Sequence, residues 1–172
     1  MKKIIAVAAA AFIALFMTGC DKDLTPAKIN AVATTIGRTA GYACELAKTK
    51  TEVKEGIAKV LDIVAEVVPT NGQTFAEAWT PVIDKELKEL VDAGKIDAAG
   101  AQVAKIALGV ACDGIDYVFT KYPKAKETKE LVSAAVTGFI SGYKSVVNLA
   151  ANAEKPEIDE EALKYFKTKL AK

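Results

Sequence analysis

The sequence predicts an all-α protein, a single helical bundle of about five helices followed by a short C-terminal helix. Three observations lead there. Apolar residues recur at three- and four-residue spacing through successive segments, which is the repeat of one helix face. Helix start and stop signals (Thr-Pro, Thr-x-x-Glu, Asp and Gly) fall between those segments. No stretch combines alternating polarity with dense β-branched residues and turn signals, so no sheet is expected. With 172 residues and 51% apolar composition, the chain is long enough for one domain with a real core.

Residues 1–19 read as an export signal. Lys2 and Lys3 form a positive n-region, Ile4 to Phe16 is an unbroken apolar run, and Thr18 and Gly19 are the small residues before Cys20. The run is too short for an ordinary membrane span. The stretch Leu15-Phe16-Met17-Thr18-Gly19-Cys20 resembles the lipobox of bacterial lipoproteins, with Met17 standing where that family usually has Leu. The resemblance covers only the leader. It implies that Cys20 becomes the first mature residue and carries lipid with palmitate-type chains. It also implies a cell-envelope location on a bacterial membrane, facing the periplasm or exterior. Asp21 resembles the retention signal of enterobacterial inner-membrane lipoproteins, but Lys22 stands beside it, and the choice of membrane stays open. Residues 20–25 then form a lipidated tether.

Residues 26–150 make up the bundle. Thr25-Pro26 is an N-cap with proline at the first helical position, and a first helix is expected to about Lys48, with Ile29, Val32, Ile36 and Ala40 on one stripe. Thr49-x-x-Glu52 has the form of a capping box for a second helix carrying Val53, Ile57, Val60, Leu61, Val64 and Val68. Pro69-Thr70-Asn71-Gly72 breaks it. A second box, Thr74-x-x-Glu77, opens a short helical turn with Trp79, and Thr80-Pro81 restarts a helix with Val82, Ile83, Leu87, Leu90 and Val91 inward. Gly94 is a C-terminal cap. Asp97 begins a fourth helix, running through Val103, Ile106, Ala107, Val110, Ile115 and Val118 to about Lys121. A fifth runs from Thr128 to about Ala150. Residues 151–172 are a polar tail in which Asp159-Glu160-Glu161 starts a short amphipathic helix with Leu163, Phe166 and Leu170. A faint echo around Ala43-Cys44 and Ala111-Cys112 lacks the firm period of a repeat.

Composition narrows function. The formal charge is +1 and falls to −1 if Lys2 and Lys3 leave with the signal. Scattered charges and a single arginine, Arg38, give no footprint for nucleic acid. There is no histidine, which excludes Ser-His-Asp and Cys-His catalysis and most catalytic zinc sites. No pattern calls for carboxylate-only or Ser-Lys chemistry, so no catalytic residue and no cofactor are expected. Glu86, Glu89, Asp92, Asp113 and Asp116 have helical spacings that bring carboxylates together. Lysines are interleaved with the first three, the pattern of a solvated face, and no metal site is expected.

Export makes Cys44 and Cys112 an even pair in an oxidising compartment, and a Cys44–Cys112 disulfide is expected. Its loop would stabilise the fold by roughly 4 kcal/mol. If those helices run antiparallel and adjacent, Arg38 comes within reach of Asp116, and an ion pair is expected there. Gly37-x-x-x-Gly41 and Gly138-x-x-x-Gly142 are read as close helix packing inside the bundle rather than as membrane contacts. Phe75 and Trp79, on the broken helix, are the expected partner contact. The expected protein is a non-enzymatic envelope lipoprotein, held to the membrane by its N-terminal lipid, that binds a partner protein or has a structural, assembly or exclusion role. The alternative is a carrier with an inter-helix cavity for an apolar molecule or lipid.

Overall fold

Thr25 caps the first helix, accepting a hydrogen bond from Lys28 N at 3.3 Å, with Pro26 at the position where a missing N–H costs nothing. The structure, a computed structural model, describes residues 24–70, 72–149 and 154–171. Six α-helices occur among them: α1 (Pro26–Ala43), α2 (Thr51–Val64), α3 (Phe75–Asp92), α4 (Ala98–Lys121), α5 (Lys129–Val147) and α6 (Glu160–Leu170). No strand occurs among the described residues, so the all-α expectation holds.

Several boundaries differ from the expected ones, each for a local reason. α1 stops at Ala43 because Glu45 turns into the left-handed region (φ 52°), which lets the 3₁₀ turn Leu46–Lys48 bury Leu46. That turn also removes the expected Thr49 box. The Thr49 N–H that Glu52 would need already donates to Leu46 O at 3.0 Å, and α2 starts from Lys50 with no side-chain cap. The Thr74 box does form: Glu77 N donates to Thr74 Oγ1 (3.1 Å) and Thr74 N to Glu77 Oε2 (2.8 Å). α3 then runs through Pro81 without restarting. Thr80 Oγ1 donates to Ala76 O (2.6 Å) one turn back, and Pro81 lies on the exposed face, so its ring and missing N–H fall on the solvent side of the helix. Gly94 (φ 66°) closes α3 in a Schellman turn, with Lys95 N on Leu90 O and Gly94 N on Val91 O, both 2.9 Å.

Cross-helix contacts set the directions. α1 and α5 are the most extensively packed pair and run parallel, since Asn30 Nδ2 donates to Ala134 O (3.0 Å) near their starts and Gly41 meets Val146 near their ends. α4 runs antiparallel to both α1 and α3, placing Gly114 against Ala40 and Phe119 against Phe75. α2 runs antiparallel to α3, with Gly56 against Leu90, and antiparallel to α5, with Asp62 paired to Lys144 at 2.7 Å. The result is an up-down-up-down-up bundle in which α4 touches every other helix. α6 crosses α1 and α4 and buries Ala162, Leu163 and Phe166.

The α1–α5 seam is the tightest part. A Cβ on Gly37 would collide with the backbone carbonyl of Phe139, on Gly138 with that of Asn30, and on Gly142 with that of Thr34. The two G-x-x-x-G stretches therefore face each other, and backbone packs on backbone inside the bundle, as expected.

Candidate functional site

Cys20, the proposed lipid attachment point, lies outside the described residues. The other expected site residues can be placed, and each has a different role from the one anticipated.

The Cys44–Cys112 bond is not present, and both residues are free thiols. The helix register explains this. Ala40 stands opposite Gly114, and Tyr143 links the level of Cys44 to Ala107, so Cys112 falls between two turns of α1 rather than level with Cys44. The buried Tyr143 hydroxyl donates to Ala107 O (2.5 Å) and lies 3.7 Å from Cys44 Sγ. Burial pushes the Cys44 thiol up to about 11, partly offset by the Tyr143 contact. Burial, with the charges of Asp116 and Asp113, pushes Cys112 to about 12. Burial likewise holds the Tyr143 phenol well above its usual value. These are protonated, unreactive groups at neutral pH.

The expected Arg38–Asp116 pair is replaced by a cap. Asp116 accepts from Phe75 N (2.9 Å, Oδ1) and Ala76 N (3.1 Å, Oδ2), satisfying the first donors of α3 from across the bundle. Arg38 is half-buried and has no ion pair among the described residues. Phe75 and Trp79 are not an exposed contact surface either, since they are 5% and 0% exposed. Phe75 stacks on Phe119 (centroids 5.1 Å) and meets Trp79 edge-on (5.2 Å), and Trp79 Nε1 donates to Val67 O at 2.9 Å. This aromatic cluster pins the α2–α3 connection to α4.

The surface feature that sequence reasoning missed lies on α4. Val103 (45% exposed) and Ile106 (52%) stand about one turn apart facing water, with Ala99, Gln102 and Gly109 exposed around them. They belong to the apolar run read along this helix. The helix turns Gly100, Ala104, Ala107, Ala111 and Gly114 inward, because small residues let five neighbours approach it. That small-residue stripe was readable in the sequence, and it implies that the bulkier Val103 and Ile106 lie on the other side. α4 is long and apolar enough to cross a membrane by length and composition, although half of that stretch is buried inside the bundle.

A second cluster holds α6 to α4. Lys121 Nζ binds Glu161 (2.8 Å), lies 3.9 Å from Asp159, and sits 5.6 Å from the Tyr117 ring centre. Burial alone would lower its pKa, but the hydrogen bond to Glu161 and the charge of Asp159 outweigh it and raise the value to about 12. Tyr117 packs on Tyr165 at a tilt (centroids 4.9 Å, 33° between planes), and its buried hydroxyl has no hydrogen-bond partner among the described residues. Lys169 reaches Asp113 at 3.7 Å, and Asp159 N donates to the buried Thr39 hydroxyl at 2.8 Å. A shallow concavity of about 470 Å³ runs along the outer face of α6, past Leu163, Lys164 and Lys167. Its lining among the described residues comes from that helix and from Ala171 just beyond it. No group of three or more acidic or cysteine side chains suited to a metal occurs among the described residues. The buried carboxylate of Glu86 is answered by Lys85 (3.5 Å) and Lys59 (3.9 Å).

Comparison of the chain with protein-family models, curated proteins and solved structures finds no match in any of the three.

Proposed function

We propose that the protein is a non-enzymatic lipoprotein of the bacterial cell envelope, anchored through Cys20, that binds a partner protein through the outward face of α4. The anchoring half rests on the leader: a basic start, an apolar run and Met17-Thr18-Gly19-Cys20. Two or more acyl chains on one residue exceed the threshold for stable membrane residence. The binding half rests on one observation, the exposure of Val103 and Ile106 side by side on a helix whose other face is filled. Exposed apolar residues that cluster mark contact surfaces more often than single ones do. A structural, assembly or exclusion role would act through the same contact. The carrier alternative has less support, because the α1–α5 seam is backbone on backbone and Phe139, Tyr143, Phe119 and Trp79 are fully buried side chains.

The test uses a photo-crosslinking residue at position 106 in the native host, with position 88 on the exposed face of α3 as control. A discrete crosslink from 106, absent from 88 and abolished by Val103→Asp, supports the reading. Identical products from both positions would remove it. Cys20→Ser is expected to release the protein from the membrane fraction, and full retention after signal cleavage would defeat the anchor.

A further inference from the structure

We propose that one end of the bundle is a lipid-facing surface that rests on the bilayer, with Val68 at headgroup depth and Lys126 and Lys129 over the phosphates. This rests on the anchoring reading above and specifies how the anchored domain stands.

Helix directions decide which groups share that end. α1 and α5 begin there, and α4, antiparallel to both, finishes there at Lys121. The start of α3 lies beside the end of α4 through Phe75 and Phe119, and the end of α2 follows through the Trp79–Val67 hydrogen bond. So the entry to α1, the described parts of the α2–α3 connection (residues 65–70 and 72–74) and the turn of residues 122–128 lie toward one end of the bundle, the last two joined through Trp79, Phe75, Phe119 and Lys126. Leu24, the first described residue, is partly buried against the core. The four peptide units between Cys20 and Leu24 span at most about 14 Å when extended. A lipid on Cys20 therefore holds this end, and no other, against the membrane.

The surface suits that position. Val68 is the most exposed large apolar side chain among the described residues, at 63%, and it projects from the α2–α3 connection. Lys126, whose ammonium lies 5.8 Å from the Phe119 ring centre, and Lys129 are exposed on the adjacent turn and helix start. Long lysine side chains reach phosphates while their stems cover apolar surface. Lys28 and Lys124 lie on the same end, and so do Glu66, Glu127 and Glu130, so contact depends on Val68 and local lysine placement rather than on bulk charge. Glu77 is held in its capping box, while Asp159 and Glu161 are occupied with Lys121. Ile106 lies about 22 Å along α4 from Lys121, clear of the headgroups, so the two surfaces have different partners.

The experiment places the mature lipidated protein in phosphatidylethanolamine–phosphatidylglycerol vesicles and maps lysine acylation by peptide mass spectrometry. The reference is the Cys20→Ser chain in solution. Lys126 and Lys129 should lose most of their reactivity on vesicles, while Lys88 and Lys95, on the side and the far end, keep theirs. Val68→Asp should restore labelling of Lys126 and Lys129 while leaving the anchor in place. If those lysines react as freely as Lys95 in protein whose residue-20 peptide carries the diacylglyceryl mass, the docking surface is wrong and the anchor stands. If protection survives Val68→Asp, the tether alone causes it and the proposed surface is overturned. If the lipid mass is missing, the anchoring reading fails and takes this inference with it.

Discussion

Glycine and aspartate carry more of this fold than their size suggests. At Gly37, Gly138 and Gly142 a single methyl would meet the backbone of the partner helix, and neither α1 nor α5 can give way without opening the seam. Gly142→Ala is expected to cost about 2–3 kcal/mol and to lower Tm by roughly 5–10 °C. Gly109 has nothing within 4 Å of its would-be Cβ and lies on exposed helix, so Gly109→Ala should stabilise by up to about 1 kcal/mol. A thermal melt of the two variants side by side checks both signs, and equal effects would contradict the seam. Asp116→Ala removes two acceptors from the start of α3 and should cost about 1–2 kcal/mol. Arg38→Ala should change stability by less than about 0.5 kcal/mol and add to Asp116→Ala without coupling, because the two side chains do not meet. The thiols give a chemical counterpart. In a chain lacking Cys20, denaturation without reductant should expose two reactive thiols. The native protein should alkylate slowly at neutral pH, since burial keeps Cys44 and Cys112 protonated.

Helix elements were legible wherever the signal was local. Thr25, Thr74, Asp97, Thr128 and Asp159 all cap the helices whose starts they mark, each accepting a backbone N–H three residues on. The Thr49 box looked identical in sequence to the Thr74 box. It failed because burial of Leu46 drew the preceding residues into a 3₁₀ turn that had already used the Thr49 N–H. Thr74→Ala is therefore expected to cost about 1 kcal/mol, and Thr49→Ala no more than a few tenths, as read from denaturant midpoints. At the far end of the chain, the half-buried Lys121 ties the start of α6 to α4. Lys121→Gln should speed amide exchange across 160–170 while leaving α1 and α5 protected, and uniform protection would show that Phe166 burial alone holds the helix.

At the scale of the whole molecule, the buried proton donors set one limit of stability. Cys44, Cys112 and Tyr143 are acids whose folded pKa values lie above their unfolded ones, and Lys121 is a base raised by its carboxylate partners. In all four the folded state holds its proton longer. Their contribution is complete below the unfolded values, near 9 to 10.5, and is lost as pH rises through about 11 to 12. Denaturant midpoints should stay level from pH 7 to 9 and fall steeply above, and a flat profile to pH 12 would contradict the burial of these groups. The sequence by itself determined the helical class, most helix starts, the α3 stop at Gly94 and the close packing of the two glycine stripes inside the bundle, though not that they meet each other, because period, caps and small residues act within a few positions of chain. Only the tertiary structure decided the rest. Register set Cys44 and Cys112 out of step, direction sent Asp116 to the start of α3 instead of to Arg38, and crowding around α4 turned its small residues inward. That last choice buried Phe75 and Trp79 while leaving Val103 and Ile106 in water, because which face of an evenly apolar helix is covered depends on how closely its neighbours can approach.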